Sequence, residues 1–286
     1  MKSWHCDHGG PSLPEFESDP DPSVNFIAWA LADLGRFQPR KVLDFGCGSG
    51  RLVRSLRGLG LEASGCDVYP SWQGSDDPCV EYLSVLDPQS PLRLPYADET
   101  FDSVISVSVL EHAANKDEVF SEIYRILTPG GQMLHMLPGK FYLPLEPHIF
   151  VPLVNWLWPH VPHWWLALWA RLGIKNEFQS TMGWREVADH NLAYVETGLC
   201  YWSRGKLRRS VEHVFGNCEF PDSYYILHSP GGVAGLCRKL PFKGLTGWAS
   251  AQFRHGLLYA KKLDMPPAAS RRMRSGSYHR AHGSFA

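Results

Sequence analysis

VLDFGCGSGRL, residues 42–52, is the stretch on which the fold turns. Val42, Leu43 and Phe45 surround Asp44 and run directly into glycines at positions 46, 48 and 50. The apolar part reads as a short buried strand. The glycines carry no Cβ and reach positive φ freely, so a backbone here can close on a ligand. The plainer alternative is a tight turn that only packs a strand on the next helix.

Working outward, strand-like and helix-like segments alternate. SVNFIAWALADLG places Phe26, Ile27, Ala30, Leu31 and Leu34 at helical spacing behind a Ser23 N-cap. KVLDF is followed by a helix, SGRLVRSLRGLG, closed by glycine. LEASGCDV, VEYLSVL, FDSVISVSVL and GQMLHMLP read as strands two to five, and KDEVFSEIYRILTPGG as a helix before the last of them. Such alternation predicts right-handed β-α-β units and a mostly parallel sheet. In such sheets ligands sit beyond the carboxyl ends of the strands, where the strand order reverses.

Composition narrows the class. The 286 residues are enough for a full core. A net charge of −1 argues against a nucleic-acid-binding face. Seven scattered cysteines without a C-x-x-C pair suit a reduced, cytoplasmic protein, and no metal-binding spacing stands out, so no metal is expected. The N-terminus has no apolar signal-like region.

Asp67 closes the second strand, 17 residues beyond Gly50. A carboxylate there can accept hydrogen bonds from both ribose hydroxyls of a nucleoside. The glycine spacing is G-x-G-x-G, with Arg51 where the dinucleotide fingerprint would place its third glycine, which speaks against a nicotinamide cofactor. VLDFGCGSG, GCD, LPYADETFDSVISVSVLEH and EIYRILTPGG, in this order, resemble the class I S-adenosylmethionine-dependent methyltransferases. The resemblance covers residues 40–138, with Tyr96 where the family usually has Phe.

That resemblance implies a Rossmann-like, doubly wound, mostly parallel seven-stranded sheet with an antiparallel closing strand, and S-adenosylmethionine as cofactor. Asp44, Gly46, Cys47, Gly48 and Gly50 would face its methionine part, and Asp67 its ribose. Asp87 would lie near the adenine amino group, and Ser106 and Val107 on the sulfonium side. His112, in LEH, and His148, in EPH, are the candidate catalytic residues on the acceptor side, because an imidazole can take a proton at neutral pH. Tyr194, Tyr201 and Trp202 are further acceptor-side candidates.

The expected organisation is a flexible arm (1–22), a cofactor-binding core (23–138), an aromatic-rich helical lid or acceptor-side insert (139–203), the end of the sheet (204–263) and a disordered tail (264–286). In the last sheet segment, RGKLRRSVEHVFGNCEF reads as helix, glycine turn and strand, and HGLLYAKKLD as the closing strand. Residues 149–170 carry no charge, yet Pro152, Pro159 and Pro162 argue against a membrane span. A pocket lid is one reading. The other is peripheral contact with the inner face of the membrane, with Trp156, Trp158, Trp164, Trp165 and Trp169 at the interface. The expected activity is methyl transfer to an oxygen of a small-molecule, lipid-linked or glycan-type acceptor. A nicotinamide-dependent oxidoreductase and a non-catalytic cofactor-binding or membrane-adaptor protein are the alternatives.

Overall fold

The fold is described from a computed structural model, over residues 26–27, 30, 33–34, 40–69, 71–87, 92–228 and 232–263. The expected arm at 1–22 and tail at 264–286 lie outside them, as do Ser23 and Leu31.

The sheet has the order β3-β2-β1-β4-β5-β6. Its strands are β1 (Lys41–Phe45), β2 (Glu62–Asp67), β3 (Leu83–Val85), β4 (Phe101–Val107), β5 (Leu127–Pro138) and β6 (His255–Lys261). All neighbours are parallel except β5 and β6. The strand order reverses between β1 and β4, which places a ligand-binding crevice at the end of β1.

Six strands stand among the described residues, where seven were expected. The segment around Glu219 shrinks to one antiparallel bridge with Tyr259. Pro221 follows at once and cannot donate to a ladder. The third strand is also shorter than VEYLSVL predicts, because Pro78–Tyr82 forms a 3-10 turn first. The helix expected to run to the TPGG glycines ends at Ile126, and Leu127 is already extended.

Helices α1 (Arg51–Gly58) and α2 (Lys116–Ile126) cover opposite faces. Leu52, Val53 and Leu56 of α1 pack with Phe26, Ile27 and Ala30 on one face. Phe120, Ile123 and Ile126 of α2 pack with β4 and β5 on the other. Each such side chain contributes about 1.5–3 kcal/mol by leaving water. Beyond β5 come α3 (Val154–Leu157), α4 (His163–Arg171) and α5 (Trp184–Thr197). These three share a separate core around Val154, Leu166, Val187 and Val195. The charge-free run thus folds as α3 and α4, and no described helix is long and apolar enough to cross a membrane. The chain closes with α6 (Arg204–Phe215), α7 (Asp222–His228), α8 (Gly232–Cys237), α9 (Lys243–Phe253) and β6.

Candidate active site

The turn after β1 bends twice around β2. The amides of Gly46 and Cys47 both donate to the Cys66 carbonyl, at 2.8 and 3.1 Å. Gly46 has φ +79°, and a Cβ there would stand 2.3 Å from Val109 Cγ2. A side chain would therefore push apart the loops after β1 and β4. Gly48 has φ +54°, and a Cβ on it would meet nothing within 4 Å. The outer side of the turn is open backbone.

Asp67 fixes this turn from β2. Its Oδ2 accepts from the Gly48 amide at 2.8 Å and its Oδ1 from the Tyr69 amide at 3.0 Å. Each oxygen keeps capacity for another hydrogen bond, so a diol can still be bound. Asp87 lies exposed just past β3, and the Leu86 amide donates to the Asp67 carbonyl, which brings Asp87 to the same edge. Cys47 is buried in the core, so its side chain does not face the crevice. Burial pushes its thiol far up, with the charges of Asp44, Cys66 and Asp67 adding to this and a backbone hydrogen bond opposing it.

Asp44, one residue before the end of β1, is only 3% exposed. Burial, and then the charge of Asp67, push its carboxyl up to about 7, and no hydrogen bond from a described residue offsets them. A buried acid without a donor suits a cationic amine, which would restore its charge. The open glycine turn, the diol-accepting Asp67 and this donorless acid fit an amino-acid-bearing nucleoside.

Ser106, expected on the sulfonium side, turns its hydroxyl inward. Its hydroxyl is fully buried, 2.6 Å from His135 Nδ1, so it is spent inside the sheet. Val107 is half-buried and packs against the cluster containing α1. Beyond it, Ser108 turns the chain at φ +55°, a conformation non-glycine residues adopt at a cost of about 1–3 kcal/mol.

The loop after β4 is clamped to the end of α5. The Cys200 amide donates to the Glu111 carbonyl at 2.6 Å, and Lys116 Nζ donates to the Cys200 carbonyl at 2.7 Å. His112 Nδ1 lies 2.7 Å from the Gly198 carbonyl. That acceptor places the proton on Nδ1 and leaves Nε2 with its lone pair.

Glu146, fully buried, organises the loop after β5. Its Oε2 accepts from the amides of His148 and Ile149, at 2.7 and 2.8 Å. Its Oε1 accepts from the Tyr201 hydroxyl at 2.9 Å and lies 2.7 Å from His148 Nδ1. The His148 and His112 rings meet edge to face with centroids 4.8 Å apart, and the Tyr194 ring is 5.9 Å from that of His148.

Burial opposes a charge on His148, but the hydrogen bond and charge of Glu146 prevail and raise its pKa above the usual value. Burial keeps His112 below its usual value despite its bond to Gly198. Burial also pushes the Glu111 carboxyl up to about 7, and neither of its oxygens has a hydrogen-bond partner. Ligand atoms of Glu111, His112 and His148 lie within 4.8 Å of one another, close enough to share an ion. No spacing in the sequence pointed to that grouping.

The fold thus joins His112 and His148, predicted separately, with Tyr194 and Tyr201. It sends Trp202 elsewhere, against the ammonium groups of Lys116 and Lys206. Glu146 escaped the sequence reading. Its signal was an acid two residues before a histidine in a proline-containing turn.

Comparison with known proteins agrees with the geometry. Residues 43–135 match the family described as a methyltransferase domain. The chain is 31% identical to sterol methyltransferase-like 1 of Botryococcus braunii over 109 residues, 35% of this chain and 28% of that protein. It is 30% identical to norajmaline N-methyltransferase of Rauvolfia serpentina over 103 residues, 34% and 35% of the two chains. These matches span about a third of each relative's length. Geranyl diphosphate C-methyltransferase of Streptomyces coelicolor A3(2) superposes over 84% of this chain and 77% of its own, with 13% identity and a TM-score of 0.45. By its ordered motifs and this family match, the segment 43–135 is similar to the methyltransferase domains of the class I S-adenosylmethionine-dependent kind.

Proposed function

We propose that the protein moves a methyl group from S-adenosylmethionine to an oxygen of a small-molecule, lipid-linked or glycan-type acceptor. The observation that carries the choice of oxygen is the buried Glu146 bound to His148 Nδ1, with His112 against the same ring. When bound, the cofactor supplies a methyl group that is already electrophilic. The chain's own task is to hold the acceptor, keep water out and remove a proton. Gly46, Gly48 and Gly50 give the backbone room, Asp67 accepts from the ribose and Asp44 faces the amine. Holding two reactants in line is worth up to roughly 7–11 kcal/mol. On the acceptor side, His148 Nε2 receives the hydroxyl proton while Glu146 stabilises the resulting imidazolium, and α3–α5 cover the acceptor.

Calorimetry tests the cofactor assignment. S-adenosylhomocysteine binds in the micromolar range, and NAD gives no heat. A reversed preference would favour the oxidoreductase alternative. Methyl-labelled cofactor incubated with metabolite and lipid extracts then yields a labelled ether or ester. Binding without any labelled product would favour a non-catalytic adaptor.

Asp44 makes a second test possible. Its pKa is raised on folding, so its contribution to stability is complete below about pH 4 and is lost as pH climbs through about 7. The loss amounts to roughly 4 kcal/mol at most. Asp44→Asn therefore raises the Tm of the ligand-free protein at pH 8 more than at pH 5. It also weakens S-adenosylhomocysteine, and it flattens the rise in wild-type affinity with pH across neutrality. Thermal unfolding and calorimetry at the two pH values read both effects.

A further inference from the structure

We infer that the face joining α3, α4 and α9 docks this protein on an anionic lipid bilayer, which goes beyond the transfer reaction itself. The tryptophan cluster singled out in the sequence divides once folded. Trp158 and Trp165 turn inward, their indole N–H groups donating to the carbonyls of Val195 and Pro152. Trp164, Leu168 and Leu172 stay outside, spaced by four residues, at 65%, 42% and 65% exposure. A helix normally gives that stripe to polar residues.

The second half of the face lies in a segment the sequence had not marked. Phe242, Leu245 and Trp248 are exposed by 78%, 64% and 53% on and just before α9. Trp156 joins α3 to α9. Its ring stacks on Phe253 at 6.2 Å and 16°, and its indole N–H donates to the Phe141 carbonyl. Trp156 and Phe253 are themselves partly exposed. α3 and α9 thus meet through exposed aromatic rings, and grouped exposed apolar side chains mark interaction sites.

Charge selects the occupant. Residues 236–254, which include α9, contain Arg238, Lys239, Lys243 and Arg254 and not one carboxylate. Residues 149–170 contain no acid either. Apolar and aromatic side chains of α9 next to Arg238, Lys239 and Lys243 match the interfacial zone of a membrane with acidic headgroups. Next to α9 lies an apolar hollow of about 440 Å³, lined by Leu143, Pro144, Leu240, Ala249 and Phe253 among others, which can receive part of an acyl chain.

The test uses the full chain and sedimentation with vesicles. Wild-type protein pellets with phosphatidylcholine vesicles doped with phosphatidylglycerol, and at least tenfold less with phosphatidylcholine alone. The double variant Leu245→Glu/Trp248→Glu loses the bound fraction. Lys239→Glu reduces it several-fold, and added salt does the same to wild type. All variants keep S-adenosylhomocysteine binding by calorimetry, which shows that they fold and separates this inference from the cofactor assignment. Equal pelleting with both vesicle types overturns it, as does retention of binding by the double variant. A wild-type dimer that ignores vesicles and becomes monomeric in the double variant also overturns it, reassigning the face to a second copy of this chain.

Discussion

Asp67→Ala lowers the affinity for S-adenosylhomocysteine by roughly 10²- to 10⁴-fold. The figure follows from two hydrogen bonds to a carboxylate, each worth about 1.5–3 kcal/mol. The substitution also frees the Gly48 amide, whose partner at 2.8 Å is Asp67 Oδ2. The glycine turn then loses the anchor that fixes it to β2. Both effects act on binding and leave the core intact, because Asp67 is half-buried at a strand end. Calorimetry of the variant reads the affinity, and an unchanged thermal transition certifies the fold. Asp87→Ala gives a much smaller loss, since Asp87 is exposed beyond the short β3. An Asp67→Ala variant that binds as tightly as wild type would show that the nucleoside lies elsewhere.

The cofactor half of the site was legible because its requirements are local. A glycine is visible as a glycine, and an acid at the end of a strand keeps its place whatever the side chains around it do. Asp44, Gly46, Gly48 and Asp67 therefore come together at the carboxyl end of β1 and β2. The Ser106 and Cys47 side chains take an inward direction that the motif could not give. A motif gives a position along a strand, but which face the side chain takes depends on pleat and packing. Ser106 turns to His135, and Cys47 joins the buried cluster with Leu52 and Ile105. The acceptor half was only partly legible, because its bonds join residues far apart in sequence. Tyr201 reaches Glu146 across 55 positions, and His112 reaches Gly198 across 86. No local pattern encodes either contact. The missing strand has a local cause instead: Pro221 and the start of α7 leave room for a single bridge at Glu219.

His148→Ala lowers kcat by roughly 10²- to 10⁴-fold, the usual worth of a general base. Affinity for S-adenosylhomocysteine stays unchanged, because none of the contacts described for the glycine turn involves His148. Glu146→Gln costs less. The amide oxygen can still accept from the backbone amides of His148 and Ile149, but the negative charge that supports an imidazolium is gone. Tyr201→Phe removes one of the donors that hold Glu146 in place and costs less again. His112→Ala acts differently, since His112 Nδ1 ties the loop after β4 to Gly198. Its expected mark is a raised KM for the acceptor with a smaller change in kcat. Chelation leaves the wild-type rate unchanged if His148 takes the proton itself. A rate that collapses with chelator and returns with a divalent cation would instead give Glu111, His112 and His148 to an ion. A fall in kcat in the order Tyr201→Phe, Glu146→Gln, His148→Ala is what a carboxylate-supported imidazole base requires. A purely structural role for Glu146 would instead leave Glu146→Gln near the wild-type rate, because the amide keeps the backbone bonds that organise the loop.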